Sequence, residues 1–316
     1  MNLEKNIKTL TARDFEEAFQ DTLSDNLSLK IKEYDFKYIE MSQAERDLCL
    51  LEIIKRLREG MPVKAGKHRQ EDWNLGWKEN LDTLLGKRDE KAILPRYFGK
   101  YKIVRWKQNF IKPLSENFER NTLRVIEEWL FEKYLKEVGS IYEFGCGTGH
   151  HLLSAGKINK KAHLYGLDWA RSSQQILEHL KVDDHDKRNI SGNYFDFFNP
   201  DHNFELDKNS GVYTVAALEQ TGDKFNSFLE YLLENKNKPV ICIHTEPIAE
   251  LLDADNLVDY LSIEYFKERN YLSGFLTYLR NLEQQKKIKI HQAQRTYIGS
   301  LFIEGYSVVV WSPIPQ

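Results

Sequence analysis

Three things are missing from this sequence: paired cysteines, a strong net charge and a long apolar run. The three cysteines, Cys49, Cys146 and Cys242, form no CxxC pair and are odd in number. They argue against a disulfide framework or a structural zinc site and fit a reducing, cytoplasmic compartment. A formal net charge of -3 over 316 residues gives no reason to expect a general coat of nucleic acid or membrane, although local patches are compatible with it. No uncharged apolar run approaches the roughly 18 residues of a spanning helix. The opening "MNLEKNIKTLTARDFEEAF" is charged at short intervals and lacks the apolar core of a signal peptide. There is no internal repeat and no low-complexity tract. With 41% hydrophobic and 29% charged residues, the composition is globular, and the length suits one large domain or a catalytic domain with an appendage.

What is present divides near residue 115. The first part is expected to be helical. "TARDFEEAFQDTL" puts Phe15, Ala18, Phe19 and Leu23 on one helical face. "SQAERDLCLLEIIKRLREG" opens with the capping pair Ser42 and Glu45 and closes at Gly60. The polar stretch from Met61 to Asn80 is expected to be loop. From about Glu116 strands and helices alternate: "SIYEFG", "AHLYGLDW", "RNISGNYF", "GVYTVAAL" and "KPVICIHT" as strands, with amphipathic segments between them. That alternation predicts an α/β fold with a mostly parallel sheet and helices on both faces. A helical insertion at about 248–285 follows, and "KIKIHQAQ" and "EGYSVVVWSP" are then left as a closing antiparallel pair.

The stretch "IYEFGCGTGHHLL" carries the chemistry. Gly145, Gly147 and Gly149 permit backbone angles closed to other residues and clear space for a ligand at the carboxyl end of a strand. A phosphate loop would continue with Lys and Ser or Thr, and a nicotinamide fingerprint would place a glycine at position 150; His150 and His151 stand there instead. Glu143, two residues before Gly145, would repel a pyrophosphate and suit an ammonium group. Asp168 ends the next strand, where a carboxylate takes the two hydroxyls of a ribose. An amino acid joined to a ribose describes S-adenosylmethionine.

"YEFGCGTGHHLL", "LYGLDWA", "GNYFDFF" and "VAALEQTGD", in that order, resemble the motif set of class I S-adenosylmethionine-dependent methyltransferases over roughly residues 120–316. The resemblance implies a Rossmann-like, seven-stranded sheet ending in an antiparallel pair. It also implies a methyltransferase domain at 116–316, preceded by a helical cap or lid at 1–115. By the same resemblance, Glu143, Gly145 and Gly147 would line the methionine end of the cofactor and Asp168 its ribose, with Gly149 and Cys146, a small loop filler rather than a nucleophile, as further cofactor-binding positions. Trp169 would lie against the adenine or simply cap the sheet edge. Tyr194 and Asp196 are candidate adenine contacts and Ala216 a further lining residue. Asn193 stands where the family often has Asp, and Gln220 where it frequently has His.

The cofactor's methyl is already activated, so alignment of an acceptor is the main requirement, and an acceptor that loses a proton also needs a base. Candidates are Glu219 and His244 at strand ends and His151 at the head of the helix after the glycines. A histidine in such a place can equally be a hydrogen-bonded structural residue. No metal site is expected, because adjacent histidines do not readily face one ion and no carboxylate cluster lies nearby.

Residues 91–112 hold Lys91, Arg96, Lys100, Lys102, Arg105, Lys107 and Lys112 with no acid, interleaved with Tyr97, Phe98, Tyr101, Trp106 and Phe110. Three roles are open: a solvated face packed through its aromatics, a lid over an anionic small substrate, or an RNA-binding strip. The insertion is rich in aromatics, among them Tyr265, Phe266, Tyr271, Phe275 and Tyr278, as core, second substrate wall or dimer contact. The expected activity is methyl transfer to an oxygen or nitrogen of a small-molecule acceptor. The alternatives are an RNA or protein methyltransferase and a non-catalytic cofactor-binding relative.

Overall fold

The computed structural model describes residues 7–60, 63–87, 90–95, 98–99, 101–182 and 189–314. In the first 115 residues, strands β1 (Ile7–Thr9) and β2 (Lys37–Glu40) flank helices α1 (Ala12–Phe19) and α2 (Asp25–Glu33), and α3 (Gln43–Glu59) and α4 (Gln70–Lys87) follow. The capping pair of α3 forms as the sequence predicts: Ser42 Oγ accepts from the Glu45 N–H, and the Ser42 N–H donates to Glu45 Oε2 at 2.8 Å. Helix α4 replaces the expected loop. Its apolar positions, Trp73, Trp77, Leu81 and Leu84, recur at spacings of four, four and three, and it lies along a helix of the second half, α7 (Arg171–Val182).

The amino-terminal region also contains strands that the helical expectation omitted. β3 (Val104–Trp106) and β4 (Asn109–Pro113) form a hairpin whose two-residue turn puts Lys107 and Gln108 at positive φ, 48° and 58°. The hairpin joins an antiparallel sheet in the order β1-β2-β4-β3-β11, where β11 (Ile298–Ser300) returns from near the carboxyl terminus. The two parts of the chain are therefore sewn together by backbone hydrogen bonds.

The main sheet contains β5 (Ser140–Phe144), β6 (His163–Asp168), β7 (Ile190–Tyr194), β8 (Ser210–Val215), β9 (Ile241–Glu246), β10 (Ile288–Gln294) and β12 (Ser307–Pro313). Its order is β10-β12-β9-β8-β5-β6-β7, with β12 antiparallel to both its neighbours and the other pairings parallel. This is the α/β, mostly parallel seven-stranded sheet with a closing antiparallel pair that the sequence predicts. Side chains alternate between two cores. Ile141, Ile243 and Val310 face α5 (Phe118–Tyr134), α6 (His150–Ile158) and the amino-terminal helices. Tyr142, Phe144, Cys242, Val309 and Trp311 face α8 (Asn226–Glu234) and α10 (Phe275–Gln284) of the insertion. Helix α9 (Leu257–Arg269) packs on α3 and completes a third, smaller core with Phe110 and Phe302. No described helix is long and apolar enough to cross a membrane.

Candidate functional site

The order of the parallel strands reverses between β5 and β8, which opens a crevice at their carboxyl ends. The glycine bend sits there, with Gly145, Gly147 and Gly149 at φ of 75°, 52° and 74°. Much of its bareness is demanded by the protein itself. A Cβ on Gly145 would lie 2.4 Å from the Cβ of Ala217, and one on Gly147 2.9 Å from the indole of Trp77. The bend is tied to the neighbouring strand by Asp168, which accepts from the N–H of Gly147 and from that of Ala170, each at 2.8 Å. Burial raises Asp168 to a pKa of about 6 against the pull of those two donors and of the Trp169 N–H.

Glu143 lies behind the bend, fully buried. Tyr213 donates to its Oε2 at 2.9 Å, and Oε1 has no hydrogen-bond partner among the described residues. Burial pushes its pKa up to about 8, with nearby His151 pulling the other way.

Two cavities meet at the bend. A narrow one of about 60 Å³ runs between Asp168, Trp169, Phe197 and Phe198 and is mainly apolar, with Trp169 and Phe198 stacked at 5.9 Å. A chamber of about 460 Å³ opens on the other side of the loop. Gly145, Ala216, Trp73 and Trp77 line both. Ala216 holds a left-handed backbone, φ 46°, at the tip of β8; a non-glycine residue there is strained, and such strain concentrates at functional sites.

The structure brings Gly145, Cys146, Gly147, Asp168, Trp169 and Ala216 to the cavity walls, with Gly149 in the bend and Glu143 behind it. It does not bring Asn193, Tyr194 or Asp196 to them. Tyr194 is 59% exposed and meets Gln70 at 3.4 Å; the backbone carbonyl of Asn193 accepts from Gln174; Asp196 pairs with Lys67 at 3.2 Å. The turn after β7 brings Phe195, Phe197 and Phe198 to the narrow cavity instead.

Among the candidate bases, His244 lines neither cavity. Its Nδ1 meets Thr214 Oγ1 at 3.0 Å, its Nε2 accepts from the Trp311 indole at 2.9 Å, and burial drives its pKa down to about 3. Both ring nitrogens are engaged inside the core, so the role of base expected for it has no access to a substrate. Glu219 does line the chamber, on a tight turn after β8 whose N–H groups at 217, 218 and 219 all donate to the Glu246 carboxylate. Burial, with Glu246 close by, raises Glu219 to about 8. His151 also lines the chamber, its Nδ1 against the buried Glu127 carboxylate of α5. Burial opposes its charge, but Glu127 and Glu143 together raise the pKa.

The basic segment 91–112 is largely structural where it is described. Arg105 is buried, Lys107 pairs with Glu17 at 3.1 Å and Lys112 pairs with Glu45, while Tyr101 reaches the chamber. Arg96, Tyr97, Lys100 and the side chain of Lys91 lie outside the described residues. Trp73, Trp77, Arg56 and Phe302 belong to the walls without having been singled out in the sequence. The four-residue spacing of the two tryptophans was the available signal. Among the described residues no group of three or more His, Cys, Asp or Glu side chains could hold a metal ion.

No family model matches the chain. Among solved structures, the [4+2]-cyclase SpnF aligns over 81% of this chain and 99% of its own, with a TM-score of 0.51 and 14% identity. Geranyl diphosphate methyltransferase, in complex with GPP and sinefungin, aligns over 78% of this chain and 100% of its own, at 0.49 and 12%. The magnesium protoporphyrin IX methyltransferase of Synechocystis, with bound SAH, aligns over 62% and 83%, at 0.45 and 13%. At such identities the likeness is one of fold.

Proposed function

From the class I S-adenosylmethionine-dependent methyltransferase fold that this chain carries, we propose that it binds S-adenosylmethionine and methylates an oxygen or nitrogen of a small-molecule acceptor. One observation carries the reading: two buried carboxylates, Glu143 and Asp168, stand at the tips of adjacent parallel strands around a three-glycine bend that opens into an aromatic cavity.

The residues fit that cofactor. Burial keeps the Glu143 carboxyl largely neutral, and an ammonium group beside its unpartnered oxygen would favour the charged form and pair with it. Asp168 spends part of its acceptor capacity on the backbone N–H groups of Gly147, Trp169 and Ala170 and keeps the rest for a diol. The apolar slot beside Trp169 and Phe198 suits a purine ring. Bound there, the cofactor supplies a methyl group already activated on a sulfonium.

The protein's own tasks are then three. Trp77 packs over Gly147 and Trp73 stacks on Trp77 at 5.5 Å, so the two indoles wall the bend. The chamber walls orient the acceptor. Glu219 and His151, both titratable and both lining the chamber, are placed to take a proton from an O–H or N–H acceptor in their deprotonated forms, which the raised pKa values shift toward alkaline pH. Titration calorimetry with S-adenosylmethionine, S-adenosylhomocysteine, NAD and ATP tests the reading. Binding of the first two alone supports it. Binding of NAD or ATP without either sulfur compound overturns it.

A further inference from the structure

The chamber beyond the glycine bend has walls of one kind and a rim of another. Tyr265 and Phe302 are stacked at 5.4 Å and 22°, and Tyr101 meets Phe302 edge-on at 5.2 Å, so the walls present ring faces and edges. Two arginines line the same space from separate elements, Arg56 in the last turn of α3 and Arg269 at the end of α9. Arg269 lies over the Tyr271 ring at 5.2 Å and donates to its hydroxyl at 3.2 Å. The Tyr265 hydroxyl feels the fields of both arginines.

Lys107 and Lys112 pair with acids of this chain, but Arg56 has no ion pair among the described residues. Glu219 and Glu119 are both buried and both hold their protons more tightly than usual because of that burial. Two arginines among aromatic walls, one of them without an ion pair among the described residues, make a site for a flat molecule carrying a carboxylate.

We propose that the acceptor is an aromatic acid, its ring against Tyr101, Tyr265 and Phe302 and its carboxylate on Arg56 and Arg269. This rests on the methyltransferase reading, since it names the second substrate of the same site. Guanidinium selects for the carboxylate, and the walls select for the ring. The acceptor hydroxyl or amine then points toward Glu219 and the bend.

The test is a set of NMR titrations on the full chain with three probes, run with and without S-adenosylhomocysteine. The probes are 4-hydroxybenzoate, 4-hydroxybenzamide, which has the ring without the charge, and acetate, which has the charge without the ring. 4-Hydroxybenzoate should bind at least about tenfold more tightly than either, the scale of one charge-assisted hydrogen bond or one ring contact. Arg56→Gln should remove most of that preference while leaving 4-hydroxybenzamide unaffected; Arg56 is exposed at a helix end, so the variant folds. Equal binding of the amide and the acid, or an unchanged preference in Arg56→Gln, overturns the proposal. Failure of S-adenosylhomocysteine to bind strikes the cofactor reading instead, and the titrations without it still report on the chamber.

Discussion

Arg105 belongs to the segment whose cations could have served a substrate or an RNA. In the structure it is 1% exposed, and its guanidinium acts as a pin. Nε and Nη2 donate to the Leu301 carbonyl at 3.2 and 3.0 Å, and Nη1 donates to the Val258 carbonyl at 3.0 Å and to Ser262 Oγ. One side chain thus fastens the small sheet to α9 and to the turn that carries Phe302, both walls of the chamber. Arg105→Met keeps most of the stem volume and removes every donor. The Leu301 carbonyl loses both of these bonds, whereas Val258 keeps Ser262 Oγ as a donor at 3.2 Å.

An orphaned buried carbonyl costs about 1–3 kcal/mol, and the lost charged bonds add to that. Against this, a buried charge is removed whose desolvation already lowers the Arg105 pKa to about 10. The expected net loss is about 3 kcal/mol, a fall of about 4–5 °C in melting temperature for a chain of this size. Arg105→Lys should lose nearly as much, because one ammonium cannot span acceptors on two elements. Urea unfolding at pH 7 gives the stability. A change below about 0.5 kcal/mol in Arg105→Met, the range of an ordinary surface substitution, would refute the pin.

Three further outcomes can be checked. Gly145→Ala should lose about 3 kcal/mol in urea unfolding, from about 1–2 kcal/mol of left-handed strain plus overpacking against Ala217. Gly60→Ala, at φ 90° with open space around it, should show the strain alone. Trp77→Ala uncovers the bend and should weaken S-adenosylhomocysteine about tenfold by calorimetry, the scale of one aromatic wall; unchanged affinity would mean the indole plays no part in the pocket. Glu143 and Glu219 have folded pKa values of about 8 against 4.5 when unfolded, so the folded chain holds protons that the unfolded chain has released. Stability should therefore fall as pH rises from 6.5 to 8, by up to about 1.4 kcal/mol per unit for each group. Glu246 and the raised His151 act in the same sense, while His244, whose pKa is lowered, opposes only below 6.5. A melting temperature that climbs over that interval would mean these carboxyls are not buried as neutral acids.

Much of the main sheet was legible because its strands carry their own signals. Short apolar runs such as "VICIHT" lie between amphipathic helices, and periodicity is a local property. The glycine bend and the two carboxylates were legible for the same reason, as residue types at fixed offsets. The strands of the small sheet were not. β1, β3 and β11 are three residues each, too short to show alternation, and β11 is recruited from about two hundred residues away. Helix α4 was passed over because its polar stretch and two glycines outweighed a four-residue apolar spacing that tertiary contact with α7 makes decisive. His244 illustrates the reverse error. Its place at the end of an apolar strand suggested access to a ligand, but which face of the strand it points from depends on the register of the whole sheet.

The order of strands and helices, the bare bend and the two acids were written in consecutive residues. A motif of this kind works through the chain's own backbone geometry, which needs no distant partner. The chamber was decided by the fold. Arg56, Tyr101, Arg269 and Phe302 come from four separated stretches and mean nothing singly. Their convergence depends on how α3, the hairpin, α9 and the turn beyond β11 pack, and that packing depends on long-range burial and a few buried polar ties rather than on any local pattern.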